Sequence, residues 1–192
     1  MRHTASLRRR SWPLGLAVFA LACAPPPVAA PRVAPVTAAI TTVVVVRHAE
    51  KGTDDARDPS LSATGQERAA ALSALLKDAG VTGIYTTQYK RTRLTAEPLA
   101  QRLGISIVER PVNSANSATY ARDLAQEILA RNAGQSVLVV GHSNTVPDIV
   151  SALSGQAVPA MTEAEYDHVF MVAVPASGPP RLKQSRYGCP GA

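Results

Sequence analysis

The run Val43-Val44-Val45-Val46 stops at Arg47-His48-Ala49-Glu50, and a second run, Val137-Leu138-Val139-Val140, stops at Gly141-His142-Ser143-Asn144. Short apolar runs without polar alternation describe strands buried on both faces, the habit of parallel sheets covered by helices. Open α/β sheets place their chemistry at the carboxyl ends of strands. Two such strand ends, each closing on a histidine, predict a histidine pair.

Helical and strand patterns alternate between and beyond these runs. Thr64-Gly65-Gln66-Glu67 offers a capping box, and Ala69, Leu72, Leu75, Leu76 and Ala79 follow at helical spacing, with Gly80 as the stop. A strand is expected at Ile84-Tyr85-Thr86, a helix over 90–103 closed by Gly104, a strand over 105–108, a helix over 120–132 and a helix over 145–153 ending near Gly155. The segments 169–174 and 181–187 flank a Pro/Ser/Gly turn and read as an edge hairpin. The expected fold is a three-layer αβα sandwich with a largely parallel sheet and a C-terminal edge hairpin. Its domain spans 43–187.

Residues 1–38 read as a signal peptide followed by a Pro/Ala-rich spacer. Arg2, Arg8, Arg9 and Arg10 precede an apolar run from Leu14 to Ala22, shorter than the roughly 18 residues a spanning helix needs. Ala20-Leu21-Ala22-Cys23 is similar to a lipoprotein cleavage box, in which Cys23 would be lipidated and tether the protein to a membrane; cleavage after Ala38 or Ala39 is the alternative. Export to the periplasm or cell envelope is expected by either route. Of the 20 basic residues, five arginines lie in 1–38 without one acid, so the remainder is nearly neutral against its 14 acids. The net charge of +6 therefore belongs to the leader and gives no support to a nucleic-acid partner. With two cysteines, Cys23 and Cys189, no disulfide framework holds the fold.

Arg47-His48, the segment Tyr85 to Ala96 and Gly141-His142-Ser143 occur in that order, each after a strand signal. Together they resemble the histidine phosphatase superfamily, the phosphoglycerate mutase-like fold, in its small single-domain bacterial form. The resemblance covers nearly all of 43–187. Ala49 stands where the family's Arg-His box has Gly, and Arg91, Thr95 and Ala96 match its Arg-x-x-x-Thr-Ala box. The resemblance implies that His48 is phosphorylated, with Arg47, Arg91 and His142 around the phosphoryl group.

The residue types suit that chemistry independently. A phosphate monoester is nearly a dianion, and guanidinium forks are its suited ligands. Neutral imidazole is nucleophilic at neutral pH. His48 is thus the expected nucleophile and His142 a hydrogen-bonding partner of the phosphoryl oxygens. Arg91 is preferred over Arg93, because the box sets its arginine four positions before Thr95. Glu109 is the candidate acid for the leaving group, with Asp148 and Glu50 as fallbacks and a surface ion pair to Arg110 as the plain alternative. Ser143 and Asn144 either bind the anion or cap the helix after them. Glu50 and Lys51 are further substrate-contact candidates, Tyr166 and Asp167 are rim candidates, and Asp54 falls near a family asparagine that contacts phosphate. No Cys/His/acid cluster has metal-ligand spacing, so the expectation is a phosphatase without metal or cofactor acting on a small phosphorylated substrate. A phosphohistidine-protein phosphatase and a non-catalytic anion-binding envelope protein are the alternatives.

Overall fold

The computed structural model describes residues 39–188. The elements follow in the order β1 (Ile40–Arg47), α1 (Ala63–Leu76), β2 (Val81–Thr86), α2 (Lys90–Leu103), β3 (Ile107–Glu109), α3 (Tyr120–Arg131), β4 (Ser136–Gly141), α4 (Val146–Ser154), β5 (His168–Pro175) and β6 (Arg181–Arg186). The strands form one sheet in the order β3-β2-β4-β1-β5-β6. β1 to β4 run parallel to one another; β5 is antiparallel to β1, and β6 to β5. The expected architecture is therefore present, with the hairpin joined to the sheet through the central strand β1.

The uninterrupted valines of β1 are explained by cover on both faces. Val43 and Val45, with Val137, Val139 and Phe170, pack against Leu124 and Ile128 of α3 and Ile149 and Val150 of α4. Val44 and Val46, with Leu138 and Val140, pack against Leu72 and Leu76 of α1 and Ala96 and Leu99 of α2. Burying a Val or Leu side chain contributes roughly 1.5–3 kcal/mol, so these two layers carry the fold without any cross-link among the described residues.

Several boundaries depart from expectation for local reasons. The first helix begins at Ala63 and is capped by Ser62, whose hydroxyl accepts from the Gly65 amide, so the Thr64–Glu67 box is already helical. Gly65 is required there: a Cβ would stand 2.3 Å from the Glu50 carbonyl oxygen, where the loop after β1 crosses the helix start. Leu75, expected on the packed face, is exposed. The domain starts before Val43, because Thr41 is buried and its hydroxyl accepts from the Gly134 amide. β3 is shifted toward Glu109, since Ile105 instead closes α2, its amide bonding back to the Ala100 carbonyl beyond Gly104 at φ 67°. The leader, the spacer and Cys189 lie outside the described residues, apart from the end of the Pro/Ala/Val stretch, where Ile40, Thr41 and Thr42 are strand. Among the described residues no helix is long and apolar enough to cross a membrane.

Candidate active site

β1 and β4 are neighbours in parallel register, with Arg47 opposite Gly141, so His48 and His142 leave adjacent strand ends together. The His48 amide extends the ladder by donating to the Gly141 carbonyl at 2.9 Å. The two rings then meet edge to face, with centroids 5.3 Å apart. The histidine pair expected from the two valine runs is present.

His48 is 3% exposed, and its Nδ1 lies 2.7 Å from the Ala49 carbonyl oxygen. A carbonyl only accepts, so Nδ1 carries the proton and Nε2 keeps its lone pair. Burial pushes the His48 pKa from 6.5 down to about 3; the Ala49 bond opposes this, and the charges of His142, Arg47 and Arg91 add to it. The ring is neutral across the neutral range. His142 is held through Nε2 by the Thr87 hydroxyl at 2.9 Å, and Thr87 in turn meets the Thr92 hydroxyl at 3.0 Å. Burial, then Arg91, Arg47 and Lys51, lower its pKa to about 4.

Arg47 is 1% exposed and heavily engaged. Its Nη1 donates to the carbonyls of Thr162 at 2.7 Å and Glu165 at 3.2 Å, and its Nη2 donates to Glu163 Oε2 at 2.9 Å. The guanidinium also stacks 4.1 Å above the Tyr166 ring. Arg91, on the first turn of α2, stacks 4.2 Å above Tyr89 and faces Asp58 Oδ1 at 3.6 Å. Nε of each arginine is buried without a hydrogen-bond partner among the described residues, a deficit that ordinarily calls for an acceptor nearby. Arg93 points to solvent.

These side chains wall a pocket of about 340 Å³. Of the residues expected from sequence, Arg47, His48, Lys51, Arg91, His142, Ser143 and Asn144 line it. A larger cavity of about 500 Å³ between α1 and α2 is lined by Leu61, Ala69, Leu94 and Pro98 among others and holds neither histidine. Both histidines line the smaller one.

The acid candidates are not brought to it. Glu109 ends the edge strand β3, exposed, opposite Thr86 in the β2 register. Nor does it pair with Arg110, whose guanidinium grips Glu127 and donates to Glu109 only at the backbone carbonyl. Asp148 is exposed on α4. Glu50 is bound by the buried guanidinium of Arg68, through Nε at 2.8 and 2.9 Å, and so is committed to structure and not to substrate. Asp54 accepts from the Ser60 amide at 3.0 Å and fastens its own loop. Asp167 is buried against Arg186, whereas Tyr166 lies beside both Arg47 and His48.

Ser143 does not cap α4. Thr145 is the N-cap residue but makes no side-chain capping bond, its hydroxyl accepting from the His142 amide before the helix, and Ser143 donates to Glu163 Oε1 at 2.9 Å. Glu163, Thr87 and Tyr89, all in the pocket or on its histidine, carry no signal in the sequence patterns. Thr95 is visible as part of the second box, but its role is not, because its partners are not local in sequence. Its hydroxyl accepts from the Ala49 amide at 2.9 Å and donates to the Arg91 carbonyl at 2.7 Å, tying the nucleophile loop to the arginine helix.

No curated protein matches the chain in sequence. Among solved structures the fold is similar to a mycobacterial glucosyl-3-phosphoglycerate phosphatase, at 16% identity and a TM-score of 0.62 over 78% of this chain and 100% of that one. It is also similar to the protein histidine phosphatase SixA complexed with tungstate, at 20% identity and 0.56 over 76% and 96%. A third is the phosphoserine phosphatase of Entamoeba histolytica in complex with 3-phosphoglyceric acid, at 14% and 0.57 over 78% and 98%. Residues 43–112, which hold His48, Arg91 and Thr95, match the family model of the histidine phosphatase superfamily, branch 1. Over those residues the chain is similar to the histidine phosphatase superfamily, branch 1.

Proposed function

We propose that the protein is an exported phosphatase that cleaves phosphorylated small molecules through a phosphohistidine on His48 Nε2. The observation that carries this reading is the Nδ1 bond of His48 to the Ala49 carbonyl, which leaves Nε2 unprotonated beside two arginines and a second histidine. The Nε2 lone pair attacks phosphorus, and the bond to the leaving group breaks with its electron pair. The resulting imidazolium keeps its Nδ1 proton on the carbonyl. Water then attacks the phosphohistidine, the P–N bond electrons return to Nε2, inorganic phosphate leaves, and the proton that water sheds passes to solvent, which supplies the one taken up by the departing oxygen. Arg47 and Arg91 stabilise the charge on the phosphoryl oxygens, and His142 hydrogen-bonds them.

A phosphoramidate substrate, as in a phosphohistidine-protein phosphatase, is the second reading, and one observation favours it. Glu109, Asp148 and Glu50 all lie outside the pocket, and Glu163, which lines it, is held ionised by the Ser143 bond and Arg47, so none is placed to protonate a poor alkoxide leaving group. An amine leaving group needs less help from a strong acid. The basic and apolar leader supports export, and Cys23 supports a lipid tether.

The test is to mix the protein with a labelled phosphate ester and quench in alkali, where a phosphohistidine survives. Label on wild type and none on His48→Gln supports the assignment; equal labelling of both overturns it. Turnover should withstand EDTA and be blocked by vanadate.

A further inference from the structure

We propose, resting on the phosphatase reading, that Glu163 is a specificity-determining residue: its carboxylate fills an anion seat made by Arg47, Ser143 and Lys51, from which a substrate's phosphoryl group displaces it. Two donors and a further cation converge on this one side chain. Arg47 Nη2 reaches Oε2 at 2.9 Å, Lys51 Nζ faces the same oxygen at 3.8 Å, and Ser143 Oγ donates to Oε1 at 2.9 Å. All three belong to the wall that also holds His48. Two carboxylate oxygens spanned by a guanidinium and a hydroxyl copy two oxygens of a phosphoryl group. Burial does not hold the side chain there, since it is 72% exposed; the donors do.

Displacement does not carry the charge away. The backbone of this segment is bound by Arg47 Nη1 at the Thr162 and Glu165 carbonyls, and Tyr166 lies under the same guanidinium, contacts in which the Glu163 side chain has no part. The freed carboxylate therefore stays at the rim, beside the bound phosphoryl group. In its seat the Ser143 bond first, then Arg47, hold its pKa below the usual carboxylate range, and once freed it is still a carboxylate ionised at neutral pH. A second anion on the substrate is repelled by it and a cation is attracted. The favoured class is a phosphate ester or phosphoramidate whose leaving group carries an amine.

The experiment measures inorganic phosphate binding by calorimetry, and kcat/KM for 2-aminoethyl phosphate and for phosphoglycolate, on wild type and Glu163→Gln. The substitution should tighten phosphate about fivefold, the scale of one partly exposed ion pair, and lower the preference for the amine-bearing ester by a similar factor. The sign separates this role from a merely structural one: loss of a loop brace would loosen phosphate binding. Unchanged or weaker phosphate binding, or an unchanged preference, overturns the proposal. A wild-type chain that neither binds phosphate nor turns over either ester overturns the phosphatase reading instead.

Discussion

Arg47 and Gly141 sit opposite one another in the parallel register of β1 and β4, and this single pairing sets His48 beside His142. Burial is the largest cause that lowers the pKa of both histidines.

Replacing His48 with alanine should lower kcat by about a thousandfold or more, because the covalent route is lost and only phosphate binding and electrostatic stabilisation remain. Phosphate affinity measured by calorimetry should change by less than about tenfold, since Arg47 and Arg91 are untouched. Retention of a tenth of the wild-type kcat would remove His48 from the nucleophile role.

Stability should fall as pH drops from about 6.5 toward 4. The folded pKa values of His48 and His142 are depressed to about 3 and about 4, so in this window the unfolded chain binds protons that the folded chain refuses. Stability is fully present above the unfolded value and is lost on acidification. Each tenfold change in proton affinity corresponds to about 1.4 kcal/mol, and solvent entering the pocket reduces the effect, so the loss for the pair is on the order of 3 kcal/mol. Denaturant midpoints across pH check this. His142→Gln should flatten the slope, and a parallel profile in the variant would contradict the assignment.

Arg91→Lys should cost nearly as much kcat/KM as Arg91→Ala, on the order of a hundredfold, whereas Arg93→Ala should change it by less than about threefold. The guanidinium of Arg91 lies over Tyr89 and lines the pocket, an arrangement an ammonium cannot reproduce. Steady-state kinetics of the three variants decide it, and equal losses at 91 and 93 would displace the box.

Glu50→Ala should lower stability by about 3 kcal/mol, because it strips the carboxylate from a guanidinium that is 4% exposed. Chemical denaturation measures the loss. Phosphate affinity of the folded variant should stay within about threefold of wild type if Glu50 is structural, as its bonds to Arg68 indicate.

The local patterns of the chain determined the elements and the core of the site. The valine runs report burial on both faces, which is a period and composition signal, and the helix over 90–103 and its Gly104 stop were legible because capping chemistry acts over a few residues. That Arg47, His48, Arg91 and His142 line one pocket was legible because Arg47, His48 and His142 stand at the ends of two buried strand runs and Arg91 opens the helix after a third strand. Where one side chain competes with another for a partner far along the chain, sequence is silent. Nothing local separates Glu50 from Glu109 as an acid; the packing of Arg68 claims the first and the edge of the sheet carries off the second. Glu163 stands 116 positions from Arg47 and belongs to no box, yet it sits on that arginine. Only the sheet order decided this, because antiparallel pairing of β5 with β1 returns the loop before β5 to the strand end that β1 and β4 share.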